Sequence, residues 1–198
     1  GTTDGQIHTP SSSHFISDSD IGSSNLTVEF DNNSVHVFNL VYSQNNNIYT
    51  IEIGNGGSSN RQLLSDGGIN FNPAINQVIN ENSEYDLYIC WLKTESSNTN
   101  VCMRKMLKDG SLTGIQNFGQ DVSSVNITSS DSKKETMIVW SENSGANLKA
   151  TSYQNGTYSS EIEVGSNISD FQFIPDYSNF SAAQLYYINT TRQPYNIS

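Results

Sequence analysis

The sequence predicts an all-β chain built from four similar units, each a meander of four antiparallel strands. Three observations carry that expectation. Aromatic residues at Tyr42, Trp91, Trp140 and Tyr187 recur at separations of 49, 49 and 47 positions. Each lies last or next to last in a short run that is apolar on both faces, VHVFNLVY, YDLYICWL, TMIVW and AAQLYYI, the pattern of a strand covered on both sides. Turn signals rich in Gly, Asn, Asp and Ser separate the runs at short, regular intervals.

The strands can be taken in order. In the first unit Asn25–Phe30 alternates apolar and polar residues, Asp31-Asn32-Asn33-Ser34 turns the chain, and Val35–Tyr42 is the apolar strand. Ile48–Ile53 follows Gln44-Asn45-Asn46-Asn47, and a short strand lies around Arg61–Leu64. The second unit runs through Ile69–Ile75, in which Pro73 marks an irregular or edge position because it has no N–H to give a ladder. It continues with Tyr85–Leu92, Val101–Met106 and, after Asp109-Gly110, Leu112–Phe118. The third comprises Val122–Thr128, Met137–Trp140, Leu148–Tyr153 and Thr157–Val164, the last introduced by Asn155-Gly156, a strong hairpin signal. Ile168–Ile174, Ala182–Ile188 and Tyr195–Ser198 make a fourth unit that lacks its last strand.

A period of about 40 to 50 residues with four strands per repeat is the mark of a β-propeller. The expected architecture is therefore a single domain over residues 1–198, a four-bladed propeller. Asp4-Gly5-Gln6-Ile7-His8-Thr9 would complete the last blade, as closure from both chain ends removes an exposed edge. The alternatives are a five-bladed or partial propeller and a β-sandwich. The sandwich would leave one face of each sheet in water and show cleaner alternation.

The chain resembles β-propeller repeats in general, over nearly its whole length, in period rather than in motif. It carries no Ser-x-Asp-x-Gly-x-Thr-Trp box, no Gly-His to Trp-Asp pairing and no repeated Kelch double glycine, Gly67-Gly68 standing alone. Four blades are similar to the hemopexin architecture, but that family's Asp-Ala strand starts and its cystine bridge are missing. The resemblance thus implies an architecture and no activity.

Composition narrows the function classes. The net charge is −11 over 198 residues, which argues against a nucleic-acid backbone or an anionic membrane surface as partner. Apolar runs of about five residues exclude a spanning helix, which needs about twenty. Gly1 at the start is expected of a processed or engineered end. Asn-x-Ser/Thr sequons at Asn25, Asn32, Asn126, Asn155, Asn167, Asn179, Asn189 and Asn196 are expected by chance in so Asn- and Ser-rich a chain, and that explanation is preferred to glycosylation.

Few residues suggest chemistry. Cys90 and Cys102 lie on adjacent predicted strands about the Glu95–Ser97 loop, so either a cross-strand disulfide or two buried thiols fits. His8, His14 and His36 lack metal-motif spacing. Asp18-Ser19-Asp20-Ile21-Gly22 with Glu29 is a poor calcium loop, its Gly one place early. No cofactor is expected, although a central channel lined by backbone carbonyls leaves room for an ion that sequence does not reveal. Arg61, Arg104 and Arg192, one in each of three units, match in number the arginine trio of a sialidase-like propeller, but they fall on outer strands or loops.

The expected function is a non-catalytic binding module, secreted, cell-surface or periplasmic and monomeric, that recognises a glycan or a protein partner through rim loops. Such loops of Asn, Ser, Gly and Tyr suit recognition. Tyr49, Tyr153, Tyr158 and Tyr195 are the candidate contact residues, while Trp91 and Trp140 are expected to pack between blades. The alternative is a sialidase-like glycoside hydrolase on the same scaffold.

Overall fold

The computed structural model describes residues 6–8, 13–15, 21–30, 36–54, 57–58, 61–130, 133–175, 183–189 and 195–197. The described chain is all-β and antiparallel, with one short 3-10 turn at Asn143–Gly145. β1 (Gln6–His8) and β2 (Ser13–Phe15) form a small hairpin. The first sheet comprises β3 (Ile21–Phe30), β4 (His36–Gln44) and β5 (Asn47–Gly54), with β6 (Gly57–Ser58) and β7 (Gln62–Leu63) both on the outer edge of β5. The second runs β8 (Ile69–Ile79), β9 (Tyr85–Glu95), β10 (Asn98–Met106), β11 (Gln116–Phe118). The third has β12 (Val122–Ser130), β13 (Glu135–Glu142) and β14 (Asn147–Gln154), with β15 (Thr157–Tyr158) and β16 (Ile162–Ser166) sharing its outer edge. β17 (Ile168–Pro175), β18 (Ala183–Asn189) and β19 (Tyr195–Ile197) form the fourth.

Each predicted meander is therefore present. Tight turns set the registers: Asn45 and Asn46, Ser96 and Ser97, and Asn155 with Gly156 all have positive φ, the backbone a two-residue hairpin turn needs to match strand twist. The predicted irregularity at Pro73 is a bulge between Phe71 and Ala74. It has counterparts between Ile21 and Ser24, Val122 and Ser124, and Ile168 and Asp170. Thus the first strand of every sheet is bulged near the aromatic anchor of its neighbour, which bends the strand and increases its twist.

The sheets pack face to face in chain order, with the first strands β3, β8, β12 and β17 successively adjacent. Strand alternation explains the layers. Leu87, Ile89 and Trp91 of β9 meet Val41, Ile48 and Leu64 of the first unit. Tyr88, Cys90 and Leu92 point the other way, onto Ile127, Ile138 and Trp140 of the third sheet. Val139, Leu148 and Ala150 then meet Ile168, Phe171 and Leu185 of the fourth. A strand enclosed in this way must be apolar at successive positions, as the second strands are. The far face of the first sheet is buried too, at Leu40, Tyr42 and Ile53, whereas Ile188 on the far face of the fourth is 50% exposed. Among the described residues the series of sheets is not closed into a ring.

One expectation needs correction, and one open choice is decided. Gln6–His8 does not complete the fourth sheet; it pairs with Ser13–Phe15. A local hairpin closes a loop of a few residues, whereas docking onto the far chain end closes one more than twenty times longer, at greater entropic cost. Cys90 and Cys102 do not bridge. The hairpin places Cys102 opposite Trp91 and Met103 opposite Cys90, so the thiols project from opposite faces into different apolar layers, and both are free.

Candidate functional site

A polar cleft of about 550 Å³ lies where the second and third sheets meet. The second sheet contributes Asn100, Asn117 and Phe118, and the connection Gly119-Gln120-Asp121 forms its floor. The third sheet contributes Glu142, Asn143 and Lys149, with Glu161 at the edge. Amide donors and acceptors, carboxylates and one amine thus converge from several segments.

Glu142 is the fixed point. Although it is only 5% exposed, both carboxylate oxygens are occupied. Trp140 Nε1 donates to Oε1 at 2.9 Å, and the Gln120 backbone N–H reaches the same oxygen at 3.3 Å. Lys149 Nζ pairs with Oε2 at 2.9 Å, while Glu161 stands 3.9 Å from that ammonium. Burial pushes the Glu142 carboxyl upward, but the hydrogen bonds from Trp140 and Lys149 outweigh it and hold the group below the usual glutamate range. The Glu142 hydrogen bond, against the lesser pull of desolvation, raises Lys149. The pair is therefore charged at neutral pH.

Local backbone supports this arrangement. Gly119 adopts φ of +67°, and a Cβ there would lie 2.5 Å from Trp140 Nε1, so only glycine lets the connection pass beneath the indole. With its nitrogen turned toward Gly119, the Asn100 amide donates to that residue's carbonyl at 3.1 Å. Asn143 N–H donates to the Asp121 carbonyl at 3.0 Å, joining the two loops that flank the cleft.

Of the tyrosines singled out by sequence, Tyr153 and Tyr158 come together beside Phe118, and Tyr49 packs within the first sheet. Tyr49 stacks on Tyr42 with centroids 5.8 Å apart, and Arg61 covers its ring at 4.7 Å. Tyr153 and Tyr158 pack on each other at 4.7 Å and join Tyr88 and Phe118 between the second and third sheets. Tyr158 also donates its hydroxyl to Met103 Sδ at 2.9 Å. Tyr195 is in β19 opposite Tyr187, its side chain outside the described residues. Trp91 and Trp140 are fully buried, as expected.

Other sequence candidates fall apart spatially or beyond view. Arg61 donates to Gln44 Oε1 at 2.8 Å in the first sheet. Arg104 donates to the Thr113 and Leu64 carbonyls at 2.6 and 2.7 Å, so each guanidinium has its own structural task. Arg192, the Asp18–Asp20 segment and the side chains of His8, His14 and His36 lie outside the described residues. Among the described residues no group of three or more His, Cys, Asp or Glu is arranged to hold a metal ion, and no helix is long and apolar enough to cross a membrane.

Sequence reasoning missed Glu142 and Lys149, yet a signal was there. The residue two places after each aromatic anchor is polar, namely Gln44, Lys93, Glu142 and Asn189, and each sits at or near the end of a strand that is otherwise largely apolar. In the second sheet Lys93 pairs with Asp66 at 2.8 Å and Glu95 at 2.9 Å, so this place recurs as a charged or amide junction. Compared with known proteins, the chain matches no family model and no curated protein.

Proposed function

We infer that the chain is a non-catalytic binding module on a four-bladed β-propeller scaffold, and that it recognises a glycan through the cleft around Glu142. The propeller reading is supported by the serial packing of the sheets, the adjacency of their first strands and the bulge repeated in each. Burial of Leu40, Tyr42 and Ile53 on the far face of the first sheet favours blades over a two-layer sandwich.

The observation that carries the ligand assignment is the lining of the cleft. A hydroxyl-rich ligand needs donors and acceptors held in place, and the exposed Asn117 and Gln120 side chains flank a carboxylate that is already oriented. The lining holds three carboxylates and one ammonium, which disfavours anionic sugars. A secreted, cell-surface or periplasmic location would bring the site to such a ligand, and a monomer suffices for the site.

The hydrolase alternative has less support. It requires a carboxylic acid protonated near neutral pH, whereas Glu142 is held in its charged form. Its arginine trio would have to converge, and Arg61 and Arg104 are engaged separately. Calorimetric titration with a panel of neutral oligosaccharides tests the proposal. Saturable binding that is weakened by Gln120→Ala and Asn117→Ala, with no release of reducing ends, is expected. Turnover of a glycoside, or oligosaccharide binding indifferent to both substitutions, would overturn it.

A further inference from the structure

Asn117 stands on the boundary between two recesses. On one side it lines the Glu142 cleft. On the other it lines a recess of about 310 Å³ whose remaining walls are Asp66, Lys93, Arg104 and Ile115. Strand register puts it midway between them. Asn100 of the Glu142 cleft and Arg104 of the recess lie on the same face of β10, two residues to either side of Cys102, and Cys102 is paired directly with Asn117 on β11. Four residues of strand span roughly 13 Å, a distance that one hexose ring does not cover.

The Asn117 side chain is exposed, yet it is oriented from within. Cys102, fully buried, donates its thiol proton to Asn117 Oδ1 at 3.0 Å. With its oxygen held inward, the amide offers its two N–H donors to a ligand. Burial pushes the Cys102 thiol up to about 12, so the donor keeps its proton at neutral pH. The third unit uses the same device. The residue opposite the aromatic anchor is Cys102 in the second unit and Lys149 in the third, and Lys149 holds Glu142 as Cys102 holds Asn117. Both oriented groups line one cleft. The recess beyond Asn117 is equally fixed. Arg104 is tied to the Thr113 and Leu64 carbonyls, and Lys93 to Asp66 and Glu95, so its polar groups are ordered before a ligand arrives.

We propose that the glycan site is a groove crossing Asn117, from the Glu142 cleft into the Arg104 recess, that takes several consecutive sugars of a linear oligosaccharide, with Cys102 as the positioning residue that aims the Asn117 donors at the chain. The proposal rests on the glycan reading of the Glu142 cleft and extends it from a sugar to a chain. Neutral sugars suit the recess, since Asp66 and Glu95 balance Lys93 and Arg104 in charge.

Calorimetric titration of the whole chain with neutral β-1,4-linked oligomers of glucose, mannose, galactose and N-acetylglucosamine, each from one to six units, tests the groove. In the series that binds, affinity should rise about tenfold or more from the monosaccharide to the length that fills both recesses, and then level off. The Ile115 methyl signals, followed by NMR, report the Arg104 recess and should shift with the long oligomers but not with the monosaccharide. Two variants separate positioning from packing. Cys102→Ser keeps a donor for Asn117 Oδ1 but sets a hydroxyl among apolar side chains, whereas Cys102→Val packs well and has no donor. Positioning predicts that serine keeps the hexasaccharide affinity within about threefold and that valine loses about tenfold; packing predicts the reverse order. Asn117→Asp, at an exposed place where the fold is retained, replaces the outward donors by an acceptor and should also lose about tenfold. Equal affinity for one and six units, or Ile115 signals indifferent to every oligomer that binds, would overturn the groove and leave the glycan reading standing. Valine binding as well as serine, or an unchanged affinity in Asn117→Asp, would overturn the role given to Cys102. Absence of binding at every length would remove the glycan reading and the groove together.

Discussion

Replacing Gly119 by alanine tests how the connection between the second and third sheets is held. At φ of +67° a Cβ would lie 2.5 Å from Trp140 Nε1, 2.8 Å from Val122 Cγ2 and 2.9 Å from Glu142 Oε1. Two costs add. A left-handed backbone at a non-glycine residue costs roughly 1–2 kcal/mol, and forcing a methyl group into a filled site costs typically about 1–3 kcal/mol more. The expected loss is about 2–5 kcal/mol, which at a urea slope of about 2 kcal/mol/M lowers the unfolding midpoint by about 1–2.5 M. Gly156→Ala is the control, because φ there is +82° but nothing lies within 4 Å of the added Cβ. It should lose only the backbone part, roughly 1–2 kcal/mol. Equilibrium urea unfolding followed by tryptophan fluorescence measures both. Equal losses in the two variants would show that Trp140 and Glu142 do not press on Gly119, and the geometry of the cleft floor would be wrong.

Three further outcomes are expected. Glu142 has a folded pKa below its ordinary value of 4.5, so its stabilising contribution is fully present above that value and is lost as pH falls through the lower folded one. Thermal melting of the wild type should therefore lose stability on the acid side more steeply than that of Glu142→Gln, which should already be weaker at neutral pH by about 1–2 kcal/mol; parallel acid limbs would refute this. Asn70→Ala removes the acceptor for Trp91 Nε1 at 2.8 Å and the donor to the Asn46 carbonyl at 2.9 Å, and leaving a buried indole N–H unmatched should cost about 2–4 kcal/mol in chemical denaturation; a loss under about 0.5 kcal/mol, within the scatter of surface changes, would deny it that role. Burial raises the Cys90 thiol strongly and pushes Cys102 up to about 12, so Ellman's reagent should find neither in the native protein and both after unfolding; native reactivity or a disulfide in the intact mass would contradict the register.

Much of the fold was legible because its signals are local. The apolar second strands and the Asn155-Gly156 turn depend on neighbours in sequence, and the spacing of the aromatic anchors at 49, 49 and 47 positions needs only the linear order of the chain. What stayed hidden depends on register or on distant pairing. The two-residue Ser96-Ser97 turn shifts Cys102 by one place and sends it to the face opposite Cys90, an outcome that a turn one residue longer or shorter would have changed. Of the four bulges only the one at Pro73 had a visible marker. Serines serve two of the others: Ser43 Oγ meets Ser23 Oγ at 3.5 Å, and Ser141 Oγ meets Ser123 and Ser124 Oγ at 2.7 Å each. Nothing in so serine-rich a chain singles them out. The place of Glu142 after its anchor was marked in the sequence, but the cleft around it was not, since Asn100, Gln120, Lys149 and Glu161 come together only through sheet packing.

A repeat makes departures from itself informative. The positions that all four units share, an aromatic anchor, apolar neighbours and a bulged first strand, meet demands common to every sheet and so report packing. Where one unit differs, packing gives no reason for the choice. Three residues before the anchor, tyrosine fills the second interface while Asn39 leaves the first one hollow; a leucine there would have buried more apolar surface and left no polar group to satisfy. Two residues after the anchor, Glu142 binds the indole N–H of its own unit's tryptophan, whereas in the second unit Asn70 supplies that acceptor and leaves Lys93 to its carboxylates. The third unit has thereby moved a buried charge to the edge of an open cleft, a placement that packing alone disfavours because the charge must be held by three donors. Both departures open a concavity between sheets, and the polar one at Glu142 follows from such a departure rather than from Tyr153 and Tyr158, which pack between the second and third sheets.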